Sequence, residues 1–127
     1  MKNSKSLLLV ILGIVFWFTG AMSVKFLGSS VFSESNPYRI LFFALLFPIS
    51  YIFILISIKI AKLEKSEIFY AVAIMTMVAT LLDGSALTWF SQLYADSHEV
   101  AHYGAAWILW GAGVGLLLAY FMTDRKN

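Results

Sequence analysis

At 127 residues the chain has room for one domain. It is 61% hydrophobic and only 13% charged, with a mean hydropathy of +0.84, so it has too few polar side chains to cover a water-facing surface and lipid must be part of its solvent. The absence of cysteine excludes disulfides, thiolate metal sites and a thiol nucleophile, and a formal charge of +2 without a basic run offers nothing for nucleic acid to bind.

Four apolar segments lie close to the ~20 residues that a helix needs to cross ~30 Å of hydrocarbon. They predict transmembrane helices at about 7–27, 40–58, 68–90 and 100–122. The expected fold is therefore an all-α integral membrane bundle of four helices, a single transmembrane domain over residues 1–127 with the lipid bilayer as its partner.

The first segment follows Lys2 and Lys5 and contains the small residues Gly20-Ala21-Met22-Ser23, as a secretory signal would. Its apolar run exceeds the ~7–15 residues of a cleavable signal core, so it reads as a retained helix. The second segment is framed by Arg39 and Lys59 and holds Pro48 near its middle. A proline there removes a backbone donor and kinks the helix.

The third segment contains Asp83. A carboxylate inside a membrane helix costs ~2.5–3.5 kcal/mol on insertion scales, and it normally faces the bundle interior or a cavity. Thr76, Thr80 and Asp83 recur at helical spacing, with Gly84 and Thr88 close beside them. This polar stripe suits a small cavity that binds or passes a solute or ion, with Asp83, Thr80, Lys25 and Arg39 as the predicted binding residues. Two structural alternatives remain open: an ion pair of Asp83 with Lys25 or Arg39 that serves packing alone, or a position close enough to the interface for hydration.

The fourth segment carries Gly111 and Gly115 as G-x-x-x-G, extended by Gly104 and Ala119 at helical spacing. Small residues let membrane helices approach closely. Packing within the chain is the reading adopted, although the spacing also suits a homo-oligomer or a larger membrane partner docked through Gly111 and Gly115. Trp107 and Trp110 flank this stripe and, with Trp17, either shape an aromatic pocket or fill the core.

Basic residues divide unevenly between the two sides. Lys2, Lys5, Lys59, Lys62, Lys65, Arg125 and Lys126 fall on one side, and only Lys25 and Arg39 on the other. By the positive-inside rule both termini are expected in the cytoplasm. Tyr38, Trp89, Tyr94 and Tyr103 then fall near the outer boundary, where aromatic belts belong.

Residues 98–102 spell His98-Glu99-Val100-Ala101-His102, the H-E-x-x-H string of zinc metalloproteases. On a helix His98 and His102 share a face and can reach one zinc, with Glu99 as the base that activates a bound water. A peptidase also needs a third protein ligand. Leu82-Asp83-Gly84 resembles the L-D-G ligand motif of intramembrane site-2 proteases, but it precedes the histidine helix instead of following it. The plainer reading is a capping box, with Asp96 at the N-cap and Glu99 at N3. Capping is the reading adopted, with no cofactor, and a zinc-dependent membrane hydrolase is the alternative. No P-loop, dinucleotide fingerprint or serine-nucleophile elbow supports another enzyme.

Ala105-Ala106-Trp107, Leu109-Trp110 and Gly113 in the last segment, Leu81-Leu82-Asp83 in the third, and Glu34 with Asn36-Pro37 between the first two carry a resemblance. In these motifs the chain resembles a family of small four-helix bacterial membrane proteins known only as a domain of unknown function. The resemblance covers nearly the whole chain and implies a four-helix fold in the bacterial inner membrane. It brings no activity with it. Asp83 falls on the family's pattern, whereas the histidine string does not.

Overall fold

The computed structural model describes residues 3–31, 38–94 and 97–123. Four long helices carry the chain: α1 (Asn3–Val31), α2 (Tyr38–Ala61), α3 (Ile68–Trp89) and α4 (His98–Met122). Short 3₁₀ turns at Lys65–Glu67 and Ser91–Leu93 lead into α3 and out of it. All four helices are long and apolar enough to cross a membrane. Each exceeds its expected apolar span or falls within a residue of it, because helical geometry continues through the polar residues that flank the apolar run.

α1 packs chiefly on α3 and α2 on α4; α3 and α4 join the two pairs, while α2 and α3 scarcely touch. Only 17–28% of each apolar span is buried inside the chain. Side chains such as Phe26, Ile40 and Phe121 are 71–75% exposed. Helices this apolar on their outward faces need lipid around them.

One end of the bundle is tied by hydrogen bonds. Lys5 Nζ donates to the Lys62 carbonyl (2.9 Å) and to Glu67 Oε1 (3.0 Å), and the Phe69 N–H donates to Thr123 Oγ1 (2.7 Å). The start of α1, the end of α2, the start of α3 and the end of α4 therefore lie together. Lys62 takes a positive φ of 53°, and the Leu63 N–H reaches back to the Ile58 carbonyl (3.0 Å). That is the Schellman arrangement that ends a helix, here with lysine in the place glycine usually takes.

Two apolar clusters fill the bundle. Leu9, Leu12, Ile68, Ala71 and Met75 belong to the one near this tied end; Ala21, Val24, Leu46, Ala86 and Trp107 belong to the other. Glycines set the helix separation at two points. A Cβ on Gly13 would lie 3.0 Å from the Met75 carbonyl oxygen and 3.1 Å from Val78 Cβ, and one on Gly104 would lie 2.5 Å from Val24 Cγ1. Pro48 stands inside α2. The indole N–H groups of Trp107 and Trp110 donate to the carbonyls of Phe42 and Phe43, both at 3.0 Å. These carbonyls lie just before Ala44, whose carbonyl is the one that loses its i+4 donor at Pro48.

Gly13→Ala is expected to destabilise the protein by ~1–3 kcal/mol in thermal unfolding in detergent, since the Met75 backbone and Val78 would have to give way to the added methyl group. Gly115→Ala is the control: a Cβ there meets nothing within 4 Å, and the gain in helix propensity is at most ~1 kcal/mol. Equal behaviour of the two variants would contradict the packing described.

Candidate functional site

Asp83 sits on α3 about six residues before its end, roughly 9 Å by helical rise, and is 9% exposed. The group it meets is Tyr94, from the connection between α3 and α4. Tyr94 Oη donates to Asp83 Oδ1 at 2.5 Å, and Trp17 Nε1 of α1 donates to Tyr94 Oη at 2.9 Å. An indole can only donate, so the tyrosine oxygen must accept from Trp17, and its one proton is left for the carboxyl group. Burial first, and then the hydrogen bond to Asp83, hold the Tyr94 hydroxyl above the ordinary phenol range, so it stays protonated and donating at neutral pH.

Tyr94 is fully buried, and it is the largest such side chain among the described residues. Its place in the sequence, near the outer boundary, predicts a member of the aromatic belt. In the structure the 3₁₀ turn at Ser91–Leu93 folds the connection back, so the ring enters the bundle beside Trp17 and Trp107. No signal in the sequence separates this tyrosine from an interfacial one.

The expected cationic partners stand elsewhere. Lys25 is exposed, and its ammonium donates to the Gln92 carbonyl at 3.4 Å. Arg39 lies in α2, with its side chain outside the described part of the structure. Among the described residues the only salt bridge is Lys5–Glu67, at the opposite end.

Asp83 borders a cavity of about 240 Å³ between the two apolar clusters, lined by all four helices. Phe16 and Phe53, stacked with centroids 4.8 Å apart, form part of its wall, as do Trp17 and Trp107. Thr80 also lines it, and its hydroxyl donates back to the Thr76 carbonyl (2.7 Å). Thr76 itself and Ser50 of α2 line the same space. Thr19 and Thr80 are exposed as well as lining, so the space is a cleft open to the bundle surface rather than a sealed void.

The two glycines of the G-x-x-x-G pair play different parts. A Cβ on Gly111 would meet Leu46 Cδ1 of α2 at 3.3 Å, whereas one on Gly115 would project into open space. Both line the cavity.

His98 and His102 lie on the first turns of α4, both exposed. The N-cap of that helix is Ser97, whose hydroxyl accepts the Val100 N–H (3.1 Å). The capping box expected from Asp96 and Glu99 is therefore displaced: with Ser97 at the cap, Val100 takes N3. Asp96 lies outside the described residues, as do the side chain of Glu99, Glu34 and Asn36-Pro37. Among the described residues no three of His, Cys, Asp and Glu come together as a metal site. Asp83 is buried against Tyr94, apart from the exposed histidines.

A family of unknown function (DUF5367) matches residues 31–126, so the chain belongs to that family. No curated protein and no solved structure matches it.

Tyr94→Phe would leave the Trp17 N–H and an Asp83 oxygen without their partner. A loss of ~1–3 kcal/mol is expected, read as a lower unfolding midpoint in detergent. Trp17→Phe should lose less through hydrogen bonding, because Tyr94 still donates to Asp83. An unchanged midpoint for Tyr94→Phe would contradict the hydrogen-bonded chain.

Proposed function

We propose that the protein is a small inner-membrane component of a bacterium that binds a small solute or ion in the mid-bundle cleft, holding it or passing it across the bilayer, with Asp83 as the anchor and Thr80 beside it. One observation carries the reading. A carboxylate 9% exposed borders an open cleft, and no basic side chain among the described residues neutralises it. Within a membrane span such a group is costly and faces the bundle interior or a cavity, which makes it a candidate functional site.

The orientation belongs to the same proposal. Lys5, Lys62 and Glu67 meet at one end of the bundle, and seven of the nine basic residues flank the helix ends on that side. By the positive-inside rule this end faces the cytoplasm, with both termini, and Asp83 belongs to the outer half.

The test is a thermal-shift series on the purified full chain, with Na⁺, an ammonium compound, an amino acid, a carboxylate and a sugar. At least one class is expected to raise the unfolding midpoint with concentration. At a hundredfold excess over Kd the stabilisation amounts to ~2.7 kcal/mol. Asp83→Asn should abolish the effect. No response to any class, or the same response in Asp83→Asn, would contradict the reading.

A further inference from the structure

We propose that the ligand of this cleft is an amphipathic organic cation, an ammonium group joined to an apolar or aromatic body; the inference rests on the binding reading above and names its substrate class. Most polar groups of the cleft are placed to accept; of its hydroxyls only those of Ser50 and Thr76 have no carbonyl partner for their proton among the described residues. The hydroxyl protons of Thr19, Ser23 and Thr80 are already committed to the carbonyls of Val15 (2.9 Å), Thr19 (2.8 Å) and Thr76 (2.7 Å) of their own helices. Each of these hydroxyls is left with lone pairs rather than a proton to offer a ligand. Asp83 adds a carboxylate. Among the described residues no lysine, arginine or histidine lines the cleft, and the ammonium of Lys25 is turned to the Gln92 carbonyl. An anion would meet no counter-charge and at most the hydroxyls of Ser50 and Thr76, whereas a cation meets the Asp83 carboxyl group and the lone pairs of three committed hydroxyls together.

The walls select the rest of the molecule. Phe16, Trp17, Phe53 and Trp107 line the space. Aromatic faces attract cations, the more so where water is excluded, and they pack against apolar bodies. A bare inorganic ion would leave most of this surface uncontacted. The depth agrees with the chemistry. Phe16, Ser50, Thr80 and Gly111 lie within a turn of the middle of their apolar spans, and the cleft reaches the bundle surface at Thr19 and Thr80. A ligand with an apolar body can reach it from the hydrocarbon layer.

The test uses the full chain in phosphatidylglycerol vesicles, which carry no ammonium headgroup. Three probes of nearly one shape are compared by equilibrium binding: 2-phenylethylamine, 2-phenylethanol and phenylacetate. The amine is expected to bind roughly tenfold more tightly than the alcohol, or better, the scale of one desolvated cation–aromatic contact, with phenylacetate weakest. Asp83→Asn should bring the amine down to the level of the alcohol. Gly20→Leu should weaken both, because a Cβ at Gly20 projects into open space in the cleft. Comparison of the amine with the alcohol on the unaltered chain needs no variant to fold. An alcohol that binds as tightly as the amine, or a tighter phenylacetate, would overturn the cation class and leave the cleft as a binding site. Failure of all three probes to bind would overturn the class and remove the support for the cleft itself. Repeating the amine titration with phosphatidylethanolamine in the vesicles distinguishes the source. Competition supports ammonium recognition and assigns it to a lipid headgroup; unchanged binding supports a free amine.

Discussion

A carboxyl group buried among membrane helices is tolerable only where a donor meets it, and in this protein that donor is the phenol of Tyr94. The hydrogen bonds run in one direction, from Trp17 of α1 through Tyr94 to Asp83 of α3. They join the first helix, the third helix and the connection that follows it. To make the contact, the α3–α4 connection must fold inward and bury a whole tyrosine. The position of α4 follows from that, because its first turn starts only three residues beyond Tyr94, at Ser97.

The same arrangement leaves room in the middle. Gly13 and Gly104 bring α1 against α3 and α4 at two separate levels, and an apolar cluster fills the bundle near each. Between them Gly20 and Gly115 present no side chain, and the cleft occupies that space. The indoles of Trp107 and Trp110 hold α2 by its carbonyls on the other flank. Close packing at the two ends and small residues at the centre make a cleft whose polar lining comes mostly from one arc, the facing sides of α1 and α3. Such a lining can bind through acceptors without a compensating base.

The four spans were legible in the sequence because the length of an apolar run is fixed by bilayer thickness, a constraint that acts residue by residue. Asp83 was legible for the same reason, as a charge where charges are expensive. Its partner was not. Coulomb's law alone favours Lys25 or Arg39, but Lys25 finds a backbone carbonyl at the bundle end, and Tyr94 reaches Asp83 through a turn whose fold depends on tertiary packing. Spacing likewise made Gly111 and Gly115 equivalent, although one meets Leu46 and the other meets nothing. At the start of α4 two candidate caps stood side by side in Asp96-Ser97. Either residue type accepts a backbone N–H equally well, so composition did not decide the register. The indole bonds to α2 had no sequence signal beyond the tryptophans themselves.

On the proposed function, Asp83 faces a ligand-sized cleft reachable from the hydrocarbon layer. A hydrophobic carbodiimide tests it directly, because it partitions into the bilayer and couples to carboxyl groups it can reach. Mass spectrometry of the labelled chain should locate the adduct on Asp83, with labelling slowed by 2-phenylethylamine and by Gly20→Leu, which fills the cleft. Absence of an adduct on Asp83, or labelling indifferent to both ligand and filling, would contradict the account.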